Sequence, residues 1–138
     1  DVLVGFPGES REAFERTRGL IEALPLTYLH VFRFSPRPGT PASGFAGPVP
    51  QAEAKERAAV LRALGREKRR VFFRSRLGRA HPVLVESVAT GETLAASGLS
   101  DNYIPFSFEA HGERIGDMVR VVAEHLEGDQ VTGRVQKG

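Results

Sequence analysis

The feature that most constrains this chain is a sixteen-residue run from Ser35 to Pro50, SPRPGTPASGFAGPVP, with five prolines and three glycines. Proline lacks the N–H that a helix or an inner strand must donate, so the run predicts a loop with no helix and no regular ladder. A loop this long inside a compact protein is usually functional or disordered. It splits the 138 residues into a short leading part and a longer trailing one.

The leading part reads strand, helix, strand. Asp1 to Phe6 (DVLVGF) is a short apolar, β-branched run closed by Pro7 and Gly8, which predicts a buried strand. Ser10 is a candidate N-cap, Phe14, Ile21 and Leu24 fall on one helical face, and Pro25 stops the helix. Tyr28 to Phe34 (YLHVFRF) is rich in strand-favouring aromatics. Three such elements in about 35 residues make a right-handed βαβ unit with a parallel strand pair.

The trailing part opens with a helix. Pro50 suits a first helical position. Ala54, Ala58, Leu61, Leu64, Lys68 and Phe72 recur at spacing three or four, with Lys68 the one polar member. The helix is expected to reach about Leu77, with Gly65 as a weak point and Gly78 as its stop. Beyond it, short apolar runs predict strands near His81–Ala89, Leu94–Ser97, Asn102–Glu109, Met118–His125 and Gln130–Gln136. The turns between them include Ala89-Thr90-Gly91-Glu92, Ala110-His111-Gly112-Glu113 and Glu127-Gly128-Asp129. Five short strands in about 60 residues point to a small antiparallel barrel, closed or nearly so, because closure removes exposed edges.

The formal charge of +2 conceals an asymmetry. Residues 1–49 balance, residues 50–82 carry ten basic side chains against three acidic ones, and residues 83–138 carry four against nine. A polyanion would feel the helix segment; the competing reading is a solvated helix face. Cysteine is absent, which excludes a disulfide, a thiolate nucleophile and any cysteine-held zinc or iron–sulfur cluster within this chain. The histidines at 30, 81, 111 and 125 have no partner at metal-ligand spacing. No apolar run is long enough for a membrane helix. The first residue is Asp1 rather than Met, which suggests a processed or cut piece.

Three places could carry chemistry. Gly5-Phe6-Pro7-Gly8 joins a strand end to a helix start, where free amides could hold an anion or polar ring; alternatively it is only a tight turn. Arg37, held between Pro36 and Pro38, presents a guanidinium in a restricted direction, suited to a carboxylate or phosphate, or else sits exposed on a rigid connector. Tyr103 and Phe106 could stack on bases. Alternation puts Tyr103, Pro105 and Ser107 on one face and Ile104, Phe106 and Phe108 on the other, so the second face reads as core.

DVLVGFPGESREAFERT followed by YLHVFRFSPRPGTPAS resembles the last strands of the catalytic barrel of radical SAM methylthiotransferases. The basic helix then leads to a segment similar to their C-terminal TRAM domain, and GLSDNYIPF resembles the subgroup acting on threonylcarbamoyladenosine in tRNA. The resemblance covers essentially the whole chain. It implies an α+β arrangement: residues 1–49 as a partial βαβ piece of a TIM-like barrel with its loop, 50–78 as a basic helix, and 79–138 as a five-stranded, OB-like antiparallel barrel. It also implies a cytoplasmic tRNA methylthiotransferase that adds a methylthio group to C2 of the modified adenosine beside the anticodon. The parent would use S-adenosylmethionine and two 4Fe–4S clusters, and this chain, having none of the cluster cysteines, would hold no cofactor and be inactive alone. By the same resemblance Val4, Gly5, Phe6, Pro7 and Gly8 line the site of the S-adenosylmethionine adenine, and Ser35, Arg37 and Thr40 approach the same pocket. Arg66, Arg69, Arg70, Arg74 and Arg76 would contact phosphate and Tyr103 or Phe106 would stack, with the tRNA anticodon stem-loop as partner. The cut barrel fragment is expected to self-associate or to be partly disordered. Rival readings are a free-standing RNA-binding module and a small protein-binding adaptor.

Overall fold

The structure is a computed structural model and describes residues 1–91 and 94–138. The predicted turn at Ala89–Glu92 ends on a residue outside that description, as does Thr93. The chain separates into two compact units, Asp1–Arg69 and Arg70–Gly138.

In the first unit, β1 (Val2–Val4) lies parallel to β2 (Val31–Arg33), with Val2 opposite Val31 and Val4 opposite Arg33. Helix α1 (Arg11–Ala23) joins them, as the βαβ reading expects. Its start is set by Ser10, whose Oγ accepts the N–H of Ala13 at 3.0 Å. Helix α2 (Gln51–Ser75) begins directly after Pro50 and lays Ala58 and Leu61 over Val4, Phe14, Ile21 and Val31 to form the core. Gly65 does not interrupt it. A side chain there would approach Leu29 to 3.2 Å, so the glycine lets helix and loop pack closely.

Two expectations for this unit need correction. The Pro-rich segment does contain a helical turn, a single 3-10 turn over Pro41–Gly44. One turn has few internal donors to lose, and a proline at its start removes none that is needed. The apolar stripe of α2 also does not end as the spacing suggests. Phe72 is half-buried and the fully buried ring is Phe73, which belongs to the second unit.

The second unit is a closed barrel of β3 (Ala80–Ala89), β4 (Ala95–Ser100), β5 (Pro105–Glu109), β6 (Met118–Glu127) and β7 (Gln130–Val135). The order around the ring is β3-β4-β5-β7-β6. The antiparallel expectation is corrected: β5 and β7 are parallel, with Phe106 opposite Val131. Five strands cannot alternate up and down around a closed ring, so closure forces at least one parallel pair. Bulges at Val85/Ser87 and Ala123/His125 bend the long strands β3 and β6. At Gly98 and Gly133 a side chain would collide with the backbone of the neighbouring strand, 2.0 Å from the Leu84 carbonyl oxygen and 2.2 Å from that of Val122. The core holds Val83, Val85, Ile104, Phe106, Phe108, Val121 and Val131, with His81 against the Phe106 ring.

Candidate functional site

In the first unit, β1 is followed by Gly5, which has a φ of +77°. Only glycine suits this position, because a Cβ would stand 2.8 Å from that of Ala54. Three amides at this turn are already used. Gly5 N–H donates to Glu9 Oε1 at 2.9 Å, Gly8 N–H to the Gly47 carbonyl at 2.7 Å, and Glu9 N–H to the Phe6 carbonyl at 2.9 Å. These donors do not stand free for an anion. The turn instead forms one wall of a cavity of about 110 Å³, lined by Gly5 and Pro7, by Phe34 and Pro36, by Phe45, and by Gln51 and Ala54 of α2. Phe6 stands edge-on to Phe34 and Phe45, at 5.2 and 6.0 Å between ring centres.

The two predicted cofactor motifs are therefore brought together only in part. Gly5 and Pro7 line the cavity, and Phe6 packs against two of its aromatic walls. Gly8 braces the turn against the loop. Val4 is corrected: it is fully buried in the core, because β1 turns that face towards the helices. Ser35 lines a neighbouring groove with Phe32, Arg33 and Arg62, which shares Phe34 and Gln51 with the cavity. Arg37 and Thr40 are exposed; Thr40 Oγ1 donates to the Arg37 carbonyl at 2.7 Å and shapes the loop.

Behind the cavity wall sits a group that sequence reasoning missed. Arg57 is 6% exposed and donates from Nη1 to Glu9 Oε1 (2.7 Å) and to the Glu9 carbonyl (2.8 Å), and from Nη2 to Glu53 Oε1 (2.6 Å). Burial pulls its guanidinium pKa down, but hydrogen bonds and charge from Glu9 and Glu53 outweigh this and leave it raised. The four-residue spacing of Glu53 and Arg57 was visible in the sequence; the link to Glu9 was not.

The basic helix is less free than its charge suggests. Lys68 donates to the carbonyls of Glu22 and Leu24 at 3.1 and 2.8 Å, capping the C-terminal end of α1. Its place in the apolar stripe is thereby explained. Arg62 donates to the Val31 carbonyl at 3.1 Å. Arg69 stacks over Tyr28 at 5.2 Å, and burial pushes the Tyr28 phenol above its ordinary value despite the opposing charge of Arg69. Arg66 is exposed. In the second unit Arg70 and Arg76 are half-buried, Arg76 lying 5.1 Å over the Phe72 ring, and Arg74 is exposed.

The barrel divides the two predicted stacking residues. Phe106 is 1% exposed inside the core and offers no face to a base, so its stacking role is withdrawn. Tyr103 is 67% exposed, in the turn between β4 and β5, with a φ of +62°. Ser100 holds that turn. Its Oγ accepts Ile104 N–H (2.9 Å) and donates to Asn102 Oδ1 (2.6 Å), and its carbonyl accepts Tyr103 N–H (3.0 Å). The predicted strand start at Asn102 therefore moves to Pro105. Among the described residues, no group of three or more His, Asp or Glu could hold a metal ion, and no helix is long and apolar enough to cross a membrane.

No protein-family model matches the chain. Among curated proteins it is 38% identical over 143 residues to the threonylcarbamoyladenosine tRNA methylthiotransferase MtaB of Thermotoga maritima, covering 98% of this chain and 32% of that protein. It is 33% identical over 135 residues to the tRNA-2-methylthio-N(6)-dimethylallyladenosine synthases of Salmonella enteritidis PT4 and Escherichia coli O139:H28, covering 98% of this chain and 28% of each. The chain is homologous to tRNA methylthiotransferases. It spans about a third of the length of these relatives. The homology to the methylthiotransferases runs through both units, since it covers nearly every residue of the chain.

Proposed function

We propose that this chain is the C-terminal, tRNA-binding part of a radical SAM tRNA methylthiotransferase that modifies C2 of N6-threonylcarbamoyladenosine beside the anticodon. The observation that carries the reading is the match over 98% of the chain to a relative bearing that activity in its name. Iron–sulfur clusters do not fit the residues here, because the chain has no cysteine to ligate them. The cavity beside Gly5 does fit part of S-adenosylmethionine. At about 110 Å³ it is too small for a whole ligand, which fills roughly 300–1,000 Å³, but its aromatic and glycine walls suit the flat adenine. When bound, that cofactor would supply the radical chemistry. The residues of this chain hold the ring: Gly5 lets the turn pack against Ala54 of α2 to form the cavity wall, and Phe34 and Phe45 give apolar contact.

The barrel resembles OB-like RNA binders of the TRAM type, which use the faces and loops of such barrels for oligonucleotides. Tyr103 gives a stacking surface for one unpaired base, and Arg66, Arg69, Arg70, Arg74 and Arg76 supply phosphate contacts. The surplus of acidic residues over 83–138 leaves general phosphate attraction to the helix.

Filter binding of tRNA to the chain at a series of salt concentrations tests this. Affinity is expected to fall steeply with salt, and Arg70→Ala should reduce the log–log slope by about one. No binding at low salt would refute the RNA reading.

A further inference from the structure

Arg57 links three pieces of backbone, two of which, the turn at Gly5 and helix α2, line the cavity. Through Glu9 Oε1 it reaches the Gly5 N–H, the first donor left unpaired when β1 ends. Through the Glu9 carbonyl it fixes the approach to α1, and through Glu53 it is anchored on α2. Gly5 and Pro7 of the turn, and Gln51 and Ala54 of α2, line the cavity, whereas Glu9, Glu53 and Arg57 stand outside its lining and reach it through the Gly5 N–H. Glu9 shares the burial, with its side chain 13% exposed, so its charge depends on Arg57 for compensation. Lysine cannot replace this arrangement, because a single ammonium does not match the planar fork that meets Glu9 and Glu53 together.

We infer that Arg57 is a positioning residue: acting through Glu9, it holds the Gly5–Gly8 turn against the first turns of α2 and so sets the width of the cavity that receives the adenine ring. The occupant rests on the cofactor reading proposed above; the hold on the turn does not. Arg57 touches no reacting atom, and neither strand periodicity nor the glycine turn by itself would restrain Gly5 in this way.

The test uses the intact chain with Arg57→Met, which keeps bulk over Phe14, and Arg57→Lys, which keeps charge. Two quantities are read: amide hydrogen exchange at Gly5 and Gly8, with barrel amides such as Val83 and Val121 as internal reference, and the affinity for adenosine followed by amide shifts around the cavity. In Arg57→Met the Gly5 exchange rate should rise, and adenosine affinity fall, each on the order of tenfold, as expected for one charge-assisted hydrogen bond. Arg57→Lys should recover only part of each, and the barrel amides should not change. If Arg57→Met does not fold, Arg57→Lys carries the same comparison. Unchanged Gly5 exchange in a folded variant overturns the inference. So does faster exchange with unaltered adenosine affinity, which would make the link merely structural. If the unaltered chain binds no adenosine while Gly5 still responds, the cofactor reading falls and the hold of Arg57 on the turn is supported.

Discussion

Tyr103 is the non-glycine residue that adopts a positive φ among the described residues. An aromatic residue there costs backbone energy of order 1–3 kcal/mol, which a protein tolerates where the surroundings over-determine the turn. Ser100 and Asn102 provide that determination, and the residue they hold is largely exposed. Tyr103→Gly separates the two explanations for it. If the ring serves RNA, stability should hold or rise by up to about 1 kcal/mol, while tRNA affinity drops by roughly 1–3 kcal/mol. Urea unfolding and filter binding on the same preparation check both numbers. Lower stability with undiminished tRNA affinity would mark the ring as a packing group. The alternation of residues 103–108 already distinguished Tyr103 from Phe106. It could not show the left-handed turn, because that depends on the Ser100 hydroxyl meeting the Ile104 amide.

Among the elements, the barrel strands show how closely backbone can dictate sequence. Gly98 in β4 and Gly133 in β7 sit where the neighbouring strand crosses the space of a side chain. The obstacle in each case is a carbonyl oxygen, which cannot rotate away as a flexible side chain would. Gly98→Ala should therefore destabilise the barrel by about 3 kcal/mol or more, read from the barrel amides during urea unfolding. A change within about 0.5 kcal/mol would mean that the strands slide apart freely. Strand positions and the two helices were legible from alternation and from 3.6-residue spacing. The parallel β5–β7 pair was not, since it follows from ring closure and not from any local pattern. Lys68 makes the same point on α2: by spacing it was an intruder in an apolar stripe, and in the structure it caps the last carbonyls of α1.

At the level of the whole molecule, the two units differ in how completely they satisfy themselves. The barrel closes and leaves no open sheet edge. The first unit has a sheet of only two strands, and its outward face carries the paired Leu3 and Phe32, 49% and 54% exposed. Parallel sheets are ordinarily covered on both faces. The chain alone should therefore associate at rising concentration through this face, measured by sedimentation equilibrium, and Leu3→Glu with Phe32→Glu should suppress it. A strictly monomeric mass together with full exchange protection over Val2–Phe6 would overturn that expectation.

The sequence by itself determined the two α-helices, the approximate strand positions and the lack of cluster ligands, but neither the 3-10 turn at Pro41–Gly44 nor the start of β5, because helix and strand periodicity and the absence of cysteine act through near neighbours or through simple presence. It also showed where the basic charge lies. Only the tertiary structure decided which charges are free. Arg57, Arg62 and Lys68 end on carboxylate or carbonyl oxygens 31 to 48 residues away, and contacts across such separations are set by how the elements pack.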